Sequence, residues 1–328
     1  MSGEPLLSVR GLKVYFPTSG GGFFAAPRSL KAVDGVDFDV FPGETLGIVG
    51  ESGSGKSTIG RAVLQLIKPT DGRVVWLGTN IAGFSRGQMK ARRREMQIVF
   101  QDPLASLNPR MTAGDIIAEP LDTFEPHLTA DERKQRVQEM MDKVGLLPTM
   151  INRYPHEFSG GQNQRIGIAR AMILKPKLIV ADEPVSSLDV SIRAQIINLL
   201  ADLQKDMGVA LIFISHDLAI VRHVSHRVLV LYLGKVMEIA ASQVLLSHPR
   251  HPYTQALLSA APVPDPEIER GKKRMLIEGD LPSPLNPPSG CVFRTRCPKA
   301  QAKCAAEIPQ LDPRGGSAEQ LVACHFPD

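Results

Sequence analysis

"GESGSGKST", residues 50–58, decides how this 328-residue chain is read. It matches the phosphate-loop spacing G-x-x-x-x-G-K-[ST], with Gly50, Gly55, Lys56 and Ser57 in the fixed positions. The context agrees with the motif. "ETLGIVG" ahead of it reads as a strand, and "KSTIGRAVLQLI" behind it sets Ile59, Val63, Leu64, Leu66 and Ile67 at helical spacing. Gly50, Gly53 and Gly55, with Ser52 and Ser54 between them, allow a tight backbone whose N–H groups and following helix N-terminus face an anion. Lys56 then reaches nucleotide β and γ phosphates, the Ser57 hydroxyl ligates Mg²⁺, and Thr58 completes the candidate set.

Two further stretches point to the same chemistry. "KLIVADEP", residues 177–184, places four apolar residues ahead of Asp182 and Glu183, as a buried strand does when it delivers carboxylates at its C-terminal end. Asp182 becomes the second candidate Mg²⁺ partner, and Glu183 the base that polarises an attacking water. "FSGGQNQR", residues 158–165, puts Ser159, Gly160, Gly161 and Gln162 at the start of a helical pattern, a second N–H-rich helix end. Two phosphate-binding ends in one chain make sense if the second completes a neighbouring molecule's site.

The surrounding pattern predicts an α/β fold. "LLSVRGLKVYF" and "KAVDGVDFDV" read as an antiparallel, strand-rich start. After residue 176, strands and helices alternate through "KLIVADE", a helix at 191–207, "VALIFISH", a helix near 218–224 and "RVLVLYLGKVMEIA", which predicts a mainly parallel sheet covered by helices. Between about 107 and 175 the pattern turns helical, with a capping box at Thr129 and Glu132 and an apolar face of Val137, Met140, Met141 and Val144. Eight prolines between residues 262 and 298 read as an extended linker, and the glycines at 19–22 as a loop tip. The expected domains are residues 1–260, with a helical insertion, and a small unit over 261–328.

Composition excludes several classes. Hydrophobic residues at 43% and charged ones at 22% argue against disorder. The net charge of +4 comes without a basic block interleaved with aromatics, so nucleic acid is not an expected partner. "KARRREM" at 90–96 reads as a solvated helix face or docking surface. The longest apolar runs, such as "VALIFI", are far short of the roughly twenty residues a spanning helix needs. "MSGEPLLSVR" lacks a basic region followed by an apolar stretch, so no signal peptide is expected and the cytoplasm, where disulfides are disfavoured, is the expected home.

"GESGSGKST", "FSGGQ", "LIVADEP", "SSLD" at 186–189 and "ISH" ending at His216 occur in that order, and a chain with this series resembles an ABC-type ATPase over residues 5–250. The resemblance implies ATP with Mg²⁺ and adds roles. Gln101 in "VFQDP" corresponds to the glutamine that senses Mg²⁺ and the lytic water, and His216 to the switch histidine at the γ-phosphate. Asp189 lies in the loop between opposed sites, and Ser159, Gly160, Gly161 and Gln162 contact the partner's ATP. Phe16, with Tyr15 as runner-up, resembles the aromatic that stacks on adenine. Asn163 stands where arginine often follows "SGGQ", an exchange read as tuning the partner-facing surface.

"HPRHPYTQALLSAAP" at 248–262, "GDLPSPLNPPSGCVFRTRCP" at 279–298 and "FQDPLASLNPRMT" narrow the resemblance to the ATPase subunits of oligopeptide and dipeptide importers, most closely the F-type subunit. His248 and His251 are read there as parts of a structural loop rather than a metal pair. The family implies a heterodimer with a related ATPase subunit, two transmembrane permeases and an extracytoplasmic peptide-binding protein, at the cytoplasmic face of the inner membrane. A soluble ABC ATPase not coupled to transport, a non-hydrolysing subunit and an importer ATPase for a non-peptide solute are the rival readings. One phosphate loop without a long heptad run argues against the first, and intact Glu183 and His216 against the second.

All four cysteines, Cys291, Cys297, Cys304 and Cys324, fall in the last forty residues at spacings C-x₅-C-x₆-C-x₁₉-C. Zinc knuckles are usually C-x₂₋₄-C, so zinc is the second choice. A [4Fe–4S] cluster, which takes four cysteines at variable spacing, is the first, with Arg294, Arg296, Lys299 and Lys303 offsetting its charge. The resembling importer subunits agree with that choice.

Overall fold

The computed structural model describes residues 3–18, 28–261, 279–313 and 320–328, with 270, 275 and 277. The loop expected at 19–22 and residues 262–269, 271–274, 276 and 278 of the linker expected over 262–298 lie outside them. The contacts group the chain differently from its sequence order: one compact unit takes residues 1–40, 45–83 and 215–328, the other 41–44 and 84–214.

In the first unit, β1 (Leu7–Thr18) pairs antiparallel with β2 (Arg28–Val40) and β4 (Asp71–Trp76), and β4 with β5 (Thr79–Asn80). β3 (Thr45–Val49) is buried along its length and runs parallel to β9 (Arg227–Tyr232). Strands covered on both faces tolerate such unbroken apolar runs. β9 turns back through Leu233 and Gly234, both at positive φ, into the antiparallel β10 (Lys235–Ala241). That tight reversal is the hairpin geometry favoured by residues at positive φ. The helices here are α1 (Lys56–Val63), α8 (Leu218–Val224), α9 (Ser242–Ser247), α10 (Pro252–Ala260) and α11 (Ala302–Ala306).

The cysteine-bearing tail belongs to this same unit. Its β12 (Leu321–Val322) extends β10 and pairs with β11 (Asp312–Pro313). Beneath that junction, the fully buried Glu238 accepts from the Arg250 and His251 N–H groups at 3.0 Å and from Gln320 Nε2 at 2.7 Å. A buried carboxylate is tolerable because its lone pairs are filled in this way. The "HPRHP" stretch therefore serves as a staple. His251 Nδ1 accepts from the Tyr253 N–H at 3.0 Å to cap α10, and His248 Nδ1 meets Ser247 Oγ.

The second unit holds the parallel strands β6 (Met96–Val99), β7 (Leu178–Asp182) and β8 (Ala210–Ser215) as neighbours, apart from the last residue of β8. β7 is buried at all five positions. Its Leu, Ile and Val side chains stabilise the fold by about 1.5–3 kcal/mol each. The helical stretch contains α3 (Pro103–Ser106), α4 (Ala113–Phe124), α5 (Ala130–Lys143) and α6 (Gly160–Met172), preceded by α2 (Arg86–Arg93) and followed by α7 (Val190–Met207). The capping box forms as expected, with Glu132 Oε2 accepting from the Thr129 N–H at 2.9 Å. Among the described residues no helix is long and apolar enough to cross a membrane.

Candidate functional site

Two glycines of the phosphate loop leave no room for a side chain. A Cβ on Gly50 would stand 2.1 Å from the Leu231 carbonyl oxygen. One on Gly55, at φ 105°, would stand 2.1 Å from that of Ala32. Gly55 enters α1 in the left-handed region, and no side chain caps the helix. A helix start capped by glycine presents its backbone N–H groups without a capping side chain in the way, the arrangement that suits a phosphate. Lys56 is almost fully buried, and its Nζ donates at 2.9 Å to the carbonyls of both Gly50 and Glu51. The ammonium is thereby anchored on the loop itself. The Gly234 N–H braces the loop from β9–β10 by donating to the Ser54 carbonyl at 2.8 Å.

Tyr15 and Phe16 diverge. The Tyr15 hydroxyl is tied to Asp34, and Lys31 lies over its ring, whereas Phe16 leaves 38% of its surface exposed. Of the two, Phe16 has the more exposed ring. His216 is exposed just beyond β8 and lines a cleft of about 240 Å³ with Val49, the residue before the loop.

In the second unit Asp182 ends β7 with only 1% of its surface exposed, and Glu183 follows at φ 47°. A left-handed glutamate costs on the order of 1 kcal/mol or more and persists only where its surroundings fix it. Here its N–H donates to the Ile214 carbonyl at 3.0 Å, and its own carbonyl accepts from Ser186 Oγ at 3.2 Å. The turn aims the carboxylate at Gln101, whose Nε2 donates to Glu183 Oε2 at 3.2 Å. Two residues 82 positions apart thus share one contact, which no spacing rule would reveal.

Ser159 caps α6 in a reciprocal box with Gln162: the Gln162 N–H donates to Ser159 Oγ, and Gln162 Oε1 accepts from the Ser159 N–H. The two side chains serve the helix by taking up the Ser159 and Gln162 N–H groups at its start. Gly161 is required by packing, since a Cβ would meet Ile192 of α7 at 2.4 Å. Asn163 corrects an expectation. It is buried, and its Nδ2 donates to the Pro155 and Phe158 carbonyls at 3.0 and 3.3 Å, so it holds the preceding loop instead of tuning a partner-facing surface. Asp189 caps α7, accepting from the Ile192 N–H at 3.0 Å and Ser191 Oγ at 2.8 Å, bonds that hold its carboxyl below the usual carboxylate range.

The four cysteines are unpaired thiols, three of them buried. Burial pushes the Cys291 thiol up to about 11, and the other three sulfurs add to the rise, which places them in one another's field. Burial also raises Cys297 and Cys324, while backbone N–H groups of Phe293, Lys299 and Phe326, each two residues on, pull Cys291, Cys297 and Cys324 back down. Such N–H···S contacts suit thiolate ligands. Yet among the described residues no group of three or more His, Cys, Asp or Glu side chains stands ready to hold a metal ion, so neither the [4Fe–4S] nor the zinc expectation is supported by a preformed site. The expected charge offset also changes: Arg296 pairs with Glu51, Lys303 with Glu307, and Arg294 Nε donates to the Ser289 carbonyl. Lys299 pairs with Asp328 but still favours the Cys297 and Cys324 thiolates.

A phosphate loop on a strand–helix turn, a buried aspartate followed by a glutamate, and a glycine-started helix define a nucleotide-hydrolysing cassette. Comparison with known proteins agrees. Residues 33–186 match the family model "ABC transporter", and residues 237–304 match "Oligopeptide/dipeptide transporter, C-terminal region". The chain is 58% identical to the oligopeptide transport ATP-binding protein OppF of Salmonella typhimurium, over 97% of this chain and 95% of that one, and equally so to that of Escherichia coli. The putative oligopeptide transport ATP-binding protein YkfD of Bacillus subtilis is 52% identical over 98% and 95%. Among solved structures, the dimeric post-hydrolysis state of the ATP-binding cassette MJ0796 bound to ADP and Pi superposes with a TM-score of 0.65 at 28% identity, covering 72% of this chain and 98% of that one. The chain belongs to the ABC transporter ATPases, in the family of oligopeptide transport ATP-binding proteins.

Proposed function

We propose that this protein hydrolyses ATP to power peptide import through separate membrane subunits, at the cytoplasmic face of the inner membrane. The observation that carries the hydrolytic reading is Glu183, held in a left-handed turn beyond Asp182 and bonded to Gln101. The N–H groups of Ser52 to Thr58 and the Lys56 ammonium bind the ATP phosphates, and Phe16 packs on the adenine. Ser57, Asp182 and Gln101 would hold Mg²⁺, which when bound neutralises charge on the β and γ oxygens. Glu183 orients a water and accepts its proton as the water oxygen bonds to the γ-phosphorus and ADP leaves, while His216 donates to the γ-phosphate. Ser159, Gly160, Gly161 and Gln162 of this chain meet the ATP on a second, related ATPase subunit, and Asp189 lies between the two sites.

We place Cys291, Cys297, Cys304 and Cys324 around an iron–sulfur cluster, supported by their mutual electrostatic effect and the N–H groups directed at three of the sulfurs. The C-x₅-C-x₆-C-x₁₉-C spacing departs from zinc knuckles, so the cluster is favoured over zinc. Its contribution would be to staple a tail poor in apolar residues. Domain limits of 1–260 and 261–328 accompany this reading. Reconstitution with two permeases, the partner ATPase and a binding protein in vesicles tests it. ATP-dependent uptake of labelled oligopeptide is expected, and uptake of another solute class without peptide would contradict the assignment.

A further inference from the structure

Glu51 is the second residue of the phosphate loop, and its carboxylate is an awkward neighbour for a polyanionic nucleotide. Its charge is met from far along the chain. Arg296 Nη1 lies 2.8 Å from Glu51 Oε2, with only 11% of the arginine side chain exposed. The guanidinium rests over the Tyr232 ring, 5.9 Å from its centroid. Glu51 is held by its backbone as well, its N–H donating to the Tyr253 hydroxyl at 3.0 Å. The Tyr232, Tyr253 and Phe293 rings stand within 4.8–5.3 Å of one another, and Tyr232 and Tyr253 are fully buried. The turn between Cys291 and Cys297 therefore plants Phe293 among these rings and Arg296 on the loop.

We propose that Arg296 is a positioning residue of the ATP site: it neutralises Glu51 and fixes the first turn of the phosphate loop, so that the cysteine-bearing tail sets the affinity for ATP. The inference rests on the ATPase reading above. Its basis is that a half-buried carboxylate left unpaired beside bound phosphates opposes binding, whereas a paired one does not. Such an effect belongs to ground-state binding and changes KM more than kcat.

The test uses the assembled transporter and measures ATP hydrolysis for wild type, Arg296→Ala, Glu51→Gln and the double variant. Arg296→Ala raises KM for ATP about ten-fold with kcat within about two-fold, in the range of coupling expected for residues in contact. In the Glu51→Gln background, the further change on adding Arg296→Ala shrinks to under about two-fold, because the charge it balanced is gone. Arg296→Lys, which keeps the charge should the alanine variant fail to fold, recovers most of the affinity. An unchanged KM in Arg296→Ala overturns the proposal. So does an equal loss in both backgrounds, which would make Arg296 a staple of the tail alone. Hydrolysis by the wild type is a separate arm, and its absence would sink the ATPase reading rather than this coupling.

Discussion

Gln101 Nε2 donates to Glu183 Oε2 across 3.2 Å, joining the segment after β6 to the end of β7. The bond ties the Gln101 side chain to the orientation of the proposed base's carboxylate. Gln101→Ala should lower kcat about ten-fold while changing KM for ATP little, because it removes orientation rather than phosphate contacts. Steady-state hydrolysis by the assembled complex checks this. A rise in KM with kcat intact would assign Gln101 to binding instead.

Gly161 offers a way to separate the two phosphate-binding ends. Gly161→Ala brings a methyl to 2.4 Å from Ile192 Cγ2 and forces the Ile192 side chain or its helix to shift, at a cost of about 1–3 kcal/mol. Because that helix end is proposed to serve the partner's nucleotide, the isolated subunit should bind ATP as wild type does, while hydrolysis by the heterodimer falls by at least about ten-fold. Equilibrium binding of a fluorescent ATP analogue, beside complex turnover, reads both.

His251 predicts an acid-sensitive tail junction. Burial lowers its pKa from 6.5 to about 3, so the unfolded chain takes up a proton that the folded one refuses. Stability is therefore full above pH 6.5 and falls as pH drops toward 3, by about 1.4 kcal/mol per pH unit. His251→Asn, which can still cap α10, should flatten the Tm decline between pH 6.5 and 5. Parallel pH profiles of the two proteins would contradict the burial argument.

The cysteine assignment is open to direct chemistry. Anaerobically purified protein should be brown and contain iron with acid-labile sulfide, and Cys297→Ser should lower the iron content and the Tm. A colourless, zinc-loaded protein would refute the cluster.

Local chemistry was legible in the sequence where one short segment does the whole job. The Gly50–Thr58 loop, the Asp182–Glu183 pair after an apolar strand and the Thr129–Glu132 capping box each carry their own signal within a few residues. What was hidden depends on chain returns. Tyr253 and Arg296 reach Glu51 from 202 and 245 residues away, and the clue in sequence was only an acidic residue inside a phosphate loop. Asn163 could not be placed because helix periodicity does not say which side of α6 meets the 155–158 loop.

The central claim is hydrolysis at Glu183, and the Glu183→Gln variant in the assembled complex tests it most directly by following ATP retention and peptide uptake together. The amide keeps the side chain's shape but cannot take a proton. ATP should remain bound uncleaved, with turnover reduced at least about 100-fold and peptide uptake abolished. Near wild-type hydrolysis by that variant would contradict the account.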